Sequence, residues 1–211
     1  DLNPLFDALR TIPAANAQGE YYLTDLVGIY RRKKLLVDTF TVGNPNEIRG
    51  INSRTEQAEA NAIMRQNKNE ELMAAGVTLI DPATTYIDPD VQVGADTVIH
   101  PGVVLQGHTR IGSACEIHAY VRIADAEIAD RVTIHNFCLI AGARVADGAS
   151  IGPFAHLRPE TAVGERARVG NFVELKKTTL GAGSKANHLS YLGDATDRKS
   201  TRLNSSHVSE S

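Results

Sequence analysis

From Ile87 onward an aliphatic residue returns every six positions: Ile87, Val93, Ile99, Leu105, Ile111, Ile117 and Ile123. After a five-residue step the register resumes at Ile128, Ile134 and Ile140. A second short step leads to Val145, Ile151, Leu157, Val163, Val169 and Leu175, and a third to Leu180, Ala186 and Leu192. Of these nineteen positions only Ala186 is not Leu, Ile or Val. Four residues after each, a small or β-branched side chain recurs, as at Val103, Thr109, Val121, Val132, Ala149, Ala155 and Val173. Glu127 and Arg144 break this second row, and each lies just before the end of a short step. A period of six is too short for a helical repeat and too long for a simple alternating strand. It fits a parallel β-helix, in which each flat face supplies a short strand and each corner a turn.

Three hexads would close one triangular coil, and nineteen give about six coils. Stacked coils bury a continuous aliphatic column, so little aromatic mass is needed. The composition agrees: 42% of the residues are hydrophobic, only 5% are aromatic, and Trp is absent. Gly94, Gly112, Gly152, Gly164, Gly170, Gly181 and Gly193 each follow a core position. They are expected at corners that need unusual dihedrals.

The chain before the repeat reads differently. Asn3-Pro4 opens a short helix through Leu9, and Lys34 to Val42 has the β-branched content of a strand. Ser53-Arg54-Thr55-Glu56 is a capping box, so a mostly polar helix should run from there to about Ala75 and stop at Gly76. It reads as a connector more than as a core element. The last fifteen residues, Asp197 to Ser211, carry no hexad and are rich in Ser and basic residues, and read as a non-native or disordered tail. The expected divisions are therefore 1–52, the helix 53–76, the β-helix 77–196 and the tail 197–211.

Twenty-two Lys and Arg against 25 Asp and Glu leave a net charge of −3, so no basic surface points to a nucleic-acid partner. No apolar run approaches the roughly 20 residues that span a bilayer, so a cytoplasmic protein is expected. Cys115 and Cys138 occupy small-residue slots and lack the spacing of a zinc site; packed thiols are expected.

Several stretches narrow the function. Asn16-Ala-Gln-Gly-Glu-Tyr-Tyr-Leu-Thr-Asp25, Gly50-Ile-Asn52, Ile151-Gly-Pro-Phe-Ala-His-Leu-Arg-Pro159, Val169-Gly-Asn-Phe-Val-Glu-Leu-Lys-Lys177 and Ser184-Lys-Ala-Asn-His-Leu-Ser-Tyr-Leu-Gly-Asp194 occur in one order. Together they resemble the bifunctional bacterial N-acetylglucosamine-1-phosphate uridyltransferase / glucosamine-1-phosphate acetyltransferase family, over about residues 1 to 196. The resemblance implies a left-handed β-helix acetyltransferase domain, preceded by the C-terminal α/β remnant of a uridyltransferase domain. It implies UDP-N-acetylglucosamine synthesis for the cell wall, with acetyl-CoA and UTP as co-substrates, Mg²⁺, and a homotrimer that shares its acetyl-transfer sites between chains. The family's Gly-rich nucleotide loop would precede this chain and its later coils would follow Asp194. A fragment lacking both ends, and inactive alone, is therefore expected.

The same resemblance assigns residue roles. His188 is implied as the general base for the sugar amine, a task that suits an imidazole with its unperturbed pKa of about 6.5. Spacing alone leaves it a surface histidine on a turn, like His100, His108, His118 and His135. Arg158 and Lys176 directly follow Leu157 and Leu175, which lie 18 residues apart, so the two cations should stack and could clamp a sugar phosphate. Tyr191 is implied as a sugar contact, and Glu174 could orient a cation. Asn52 is implied as a ligand to Mg²⁺ and the nucleotide sugar, with Tyr22 and Thr24 flanking the sugar. Two other readings stay open: a sugar-phosphate nucleotidyltransferase whose β-helix only assembles subunits, and a non-catalytic β-helix.

Overall fold

A computed structural model describes residues 3–15, 17–196 and the backbone of 202–203. The chain forms two compact units, residues 1–50 and 51–211. The first contains helix α1 (Asn3–Leu9), helix α2 (Asp25–Arg32) and a 3₁₀ turn at Pro45–Ile48. Its small core joins Ala8, Ile12 and Ile29, with Leu26 and Tyr30 packed alongside. The strand expected over Lys34 to Val42 does not form. The segment alternates like a strand, with Leu35 and Val37 half-buried and Leu36 and Phe40 about 90% exposed. No described strand pairs with it, and an extended segment without a ladder partner keeps no strand hydrogen bonds. An α/β character for this unit is thus not seen among the described residues.

The second unit opens with helix α3 (Arg54–Ala74), whose Ser53 hydroxyl accepts from the Glu56 N–H while the Glu56 carboxylate accepts from the Ser53 N–H. The capping box therefore forms as the sequence reads it. A parallel β-helix follows, its strands mostly two residues long. The first sheet has eight strands, from Thr78–Leu79 to Arg202–Leu203; the second has seven, from Tyr86–Ile87 to Ser190–Gly193; the third has six, from Gln92–Val93 to Thr179–Leu180. The stack starts one strand earlier than the hexad count gives, at Thr78. Of the expected tail, only the backbone of 202–203 lies within the described residues, where it pairs with Lys185–Ala186.

Every coil donates its backbone N–H groups to carbonyls of the coil after it. The ladder runs Val98 to Cys115, Glu116 to Val132, Thr133 to Ala149, Ser150 to Ala167 and Arg168 to Ser184, all at 2.9–3.0 Å or shorter. Residues 17 or 18 apart are therefore superposed, Ile99 on Ile117 and Ile117 on Ile134. The aliphatic row is buried throughout, and Ile99, Ile117, Ile123, Ile134, Ile140 and Ile151 are fully enclosed. Each such side chain contributes about 1.5–3 kcal/mol by leaving water. At the three five-residue steps the small inward residue comes three positions after the core residue instead of four: Ala126, Ala143 and Thr178 are buried. The deletion removes one corner residue, so Glu127 and Arg144 become outward strand residues, as does Thr179. Cys115 and Cys138 are packed free thiols, as expected; burial raises both pKa values, that of Cys138 to about 11.

The glycine expectation needs correcting. Of the seven glycines that follow core positions, only Gly152 has positive φ. The left-handed residue sits later in each corner and is usually not glycine: Tyr120, Phe137, Phe154, Phe172 and Leu189 occupy it in successive coils. Four of these form a stack of exposed rings, centroids 5.0–5.3 Å apart, running up the outside of the prism. Glycines such as Gly164 serve a different need, close backbone approach. A Cβ there would lie 2.6 Å from the Ala182 nitrogen of the next coil.

The last turns of α3 close the column at its first coil. Leu72 joins the aliphatic core, Arg65 lies over the Tyr86 ring at 4.6 Å, and Lys68 and Asn69 are buried. The Asn69 amide donates to the carbonyls of Pro82 (2.9 Å) and Thr85 (3.2 Å). Val103, one coil on from Thr85, accepts instead from the Tyr86 N–H of the coil before it. Asn69 thus supplies the donor that the first coil has no predecessor to give. The helix is more than a connector.

Two substitutions test this account. Asn69→Leu keeps the bulk and leaves buried carbonyls without their donor, at a cost of about 1–3 kcal/mol. Gly164→Ala forces two coils apart, with a similar penalty of about 1–3 kcal/mol. Urea unfolding should show lower midpoints for both, with Gly148→Ala affected less by crowding than Gly164→Ala, because its nearest neighbour would stand at 3.4 Å.

Candidate functional site

The superposition of coils brings the expected acetyl-transfer residues onto one face. Glu174 and Lys176 alternate with the buried Val173 and Leu175, so both point outward from the second sheet. His156 pairs with Glu174 and Leu157 with Leu175, and the Arg158 N–H donates to the Leu175 carbonyl at 2.8 Å. Arg158 and Lys176 are therefore in register on adjacent coils. One coil further, Glu174 faces Tyr191 and Lys176 faces Gly193. Tyr191 is 60% exposed, and its hydroxyl lies over Gly193, where a Cβ would come within 2.6 Å of it.

The charges are not left loose. The Arg158 guanidinium donates to Glu174 at 3.0 Å, both side chains being roughly 40% exposed. Glu174 therefore fixes the arginine fork while leaving other donors for an anion. Lys176 is half-buried and pairs with no described carboxylate, whereas its neighbour Lys177 reaches Glu160 at 3.8 Å. One cation on this face is oriented by a carboxylate, and the other is held only by its stem.

His188 lies on the corner that leads into the Ser190–Gly193 strand. It is exposed, and the Ser190 hydroxyl donates to its backbone carbonyl at 3.1 Å. The weak core residue Ala186 raises the expectation that the backbone leaves the regular coil here. The corner stays regular: the Leu189 N–H donates to the Asn171 carbonyl at 3.1 Å, as the Phe172 N–H does to Pro153 one coil earlier. Asn171 thus occupies the equivalent corner position beneath His188. It is a polar neighbour that sequence reading passed over, although its 17-residue offset from His188 would have revealed it.

Asn52 is remote from this face. It stands two residues before α3, at the opposite end of the β-helix, and its side chain is exposed. Its N–H donates to the Glu56 carboxylate at 2.6 Å. In the other unit, Thr24 precedes α2 without a side-chain capping bond, and the Tyr22 hydroxyl donates to Gln18 at 2.9 Å. A shallow hollow of about 400 Å³, lined by residues such as Asp125, Glu127, Arg144 and Glu160, contains none of the expected site residues.

The histidines read from sequence as surface turns are also superposed. His100, His118 and His135 stack along the first sheet, with centroids 4.8 and 5.2 Å apart. Glu116 approaches two of them, and burial holds the His118 pKa below its ordinary value against the opposing pull of Glu116. Spacings of 18 and 17 residues were the signal for this row.

Comparisons with known proteins bear on this geometry. The domain family described as the GMPPB C-terminal domain matches residues 82–186. Bifunctional protein GlmU of Trichlorobacter lovleyi is 52% identical over 195 residues, covering 92% of this chain and 42% of that protein. Those of Syntrophomonas wolfei and an Exiguobacterium species are 48% and 47% identical over 192 residues, again covering 91% of this chain and 42% of each relative. Among solved structures, the acetyltransferase domain of PglB from Neisseria gonorrhoeae, determined with acetyl coenzyme A, has a TM-score of 0.44 at 20% identity, over 68% of this chain and 67% of that one. That likeness is too loose to add to the argument. No described helix is long and apolar enough to cross a membrane. The chain spans about two-fifths of the length of the curated relatives it matches, and across that shared stretch it belongs to the GlmU family.

Proposed function

We propose that this chain carries the sugar-phosphate half of an acetyl-transfer site that moves an acetyl group from acetyl-CoA to glucosamine 1-phosphate. The observation that carries the reading is the register of Arg158, Lys176 and Tyr191 on one outer face, with His188 on the corner leading into it. Arg158, steadied by Glu174, offers a planar fork to the phosphate, and Lys176 adds a compact charge from the adjacent coil. Tyr191 lies flat along the strand, where a sugar ring can rest. His188 takes the proton from the sugar's ammonium, and the freed amine attacks the thioester carbonyl. The C–N bond forms, the C–S bond breaks, and coenzyme A leaves as the thiol. Holding the amine in line with the thioester is the clamp's contribution to rate.

In the whole protein this half-reaction is paired with uridylyl transfer from UTP to N-acetylglucosamine 1-phosphate, giving UDP-N-acetylglucosamine. A homotrimer would complete each acetyl-transfer face from a neighbouring chain. For the Mg²⁺ of the uridylyl site, Asn52 offers one amide oxygen. The residues beside it do not make a metal site: Glu56 is engaged with the Asn52 and Ser53 N–H groups, and no described group of three His, Cys, Asp or Glu surrounds it. No step is derived through that ion.

The test is kinetic, in a protein of the relatives' full length that contains this stretch. His188→Ala should lower acetyl transfer by roughly 10²- to 10⁴-fold, the usual contribution of a general base, and leave uridylyl transfer unchanged. Arg158→Ala and Lys176→Ala should chiefly raise KM for glucosamine 1-phosphate. Full acetyl-transfer rates in His188→Ala would overturn the assignment.

A further inference from the structure

The three imidazoles stacked on the first sheet lie on different coils from the face just described and take no part in it. His100 and His118 each follow a buried isoleucine, Ile99 and Ile117, and occupy the same corner slot one coil apart. Glu116 stands between them on the strand Glu116–Ile117, paired with Val98 below and Thr133 above. Both imidazoles aim Nε2 at one carboxylate oxygen: His100 reaches Glu116 Oε1 at 3.3 Å and His118 reaches it at 3.6 Å. One ligand atom from each of the three lies within 4.8 Å of the others. Among the described residues no other group of three or more His, Cys, Asp or Glu does this.

We propose that His100, Glu116 and His118 form a binding site for a first-row divalent metal ion of the zinc class. A tetrahedral ion holding nitrogen and oxygen ligands at about 2.0–2.2 Å spaces them roughly 3.3–3.6 Å apart, the separation these side chains already show. Only the two rings, stacked at 4.8 Å with 14° between their planes, must tilt toward each other to aim both lone pairs at the ion. Two imidazoles and one carboxylate are a borderline donor set, suited to zinc and its neighbours and poor for Mg²⁺ or Ca²⁺, which demand more oxygens. Three protein ligands leave a fourth position for water.

The backbone holds the site in place. His100 N–H donates to Ile117, Glu116 N–H to Val132 and His118 N–H to Ile134, each at 2.9 Å, so the ligands project from paired strands and not from free loops. The imidazoles are half-buried, which limits the rotamers lost on binding. His135 continues the stack, but its Nε2 is engaged with the Ser150 hydroxyl at 3.2 Å, so it supports His118 and does not ligate. The ion would bridge two successive coils and stabilise the folded chain by binding it and not the unfolded state.

The experiment uses the full 211-residue chain, stripped with a chelator and then equilibrated with Zn²⁺ alone. One zinc per chain is expected, with a rise in thermal midpoint that the same concentration of Mg²⁺ does not produce. Glu116→Gln, which is nearly isosteric, and His118→Ala should each lose that equivalent, or weaken it by more than the ~10–100-fold typical of an outer-shell partner. His108→Ala should retain it, since His108 is an exposed histidine set apart against Asp90 at 3.7 Å. Co²⁺ in place of zinc should show no thiolate charge-transfer band, excluding Cys115 and Cys138 as ligands. No stoichiometric zinc in the wild type, or the same zinc content in Glu116→Gln, His118→Ala and His108→Ala, would overturn the proposal. Metal content is read independently of acetyl transfer, so this result and that of His188→Ala stand or fall separately.

Discussion

The structure depends on the backbone ladder that binds each coil to the next in strict register. An N–H of one coil meets a carbonyl 17 or 18 residues later, and every side chain is thereby set over its counterpart. Inside the prism this turns a sequence period into a column of Ile, Leu and Val with no rings in it. Outside, the same register sorts unrelated chemistry into rows: a stack of Tyr120, Phe137, Phe154 and Phe172, a file of three histidines, and the paired cations Arg158 and Lys176. A site on such a fold needs no loop to gather its residues. It is built by placing suitable side chains at one period.

That is why so much was legible. The inward positions follow directly from the hexads, because an aliphatic residue repeated at a fixed interval has one way to hide. The small-residue row was readable too, except at the five-residue steps, where the missing corner residue moves the inward slot from Glu127, Arg144 and Thr179 to Ala126, Ala143 and Thr178. Corner dihedrals were misread, since glycine's freedom was credited to positions where its lack of a Cβ matters. Left-handed φ instead falls on residues such as Phe137 and Leu189, against their intrinsic preference, because the ladder on both sides of each corner dictates the turn. In residues 1–50, Lys34 to Val42 has strand composition without a partner strand, and composition says nothing about partners. Helix α2 went unnoticed there because only Ile29 of its face is deeply buried.

The candidate site shows the same division. Eighteen residues between Leu157 and Leu175 predicted the alignment of Arg158 with Lys176, and the pairing of Leu157 with Leu175 bears it out. The Arg158–Glu174 ion pair was only partly foreseen, because it runs diagonally between coils and depends on side-chain reach. Its position matters for charge balance. A guanidinium already facing a carboxylate is oriented and partly neutralised, so the less constrained ammonium of Lys176 carries most of the face's unspent positive charge. The imidazole file was visible in principle at spacings of 18 and 17, but only to a reader who applied the coil period to polar residues as well as aliphatic ones.

The amide of Asn69 has a consequence for the stack as a one-dimensional lattice. A parallel solenoid has no internal reason to stop: its first coil displays the same acceptors that every later coil offers its neighbour. Left bare, such an edge is a template for another chain's backbone. With Asn69 spanning the Pro82 and Thr85 carbonyls and the turns of α3 lying across the column, that edge presents polar helix in place of unpaired strand. The helix therefore gives the lattice a polarity. Whole coils can be gained or lost within the stack over evolutionary time without unsealing this end, while end-to-end polymerisation through it is blocked by a single side-chain amide and the helix that carries it.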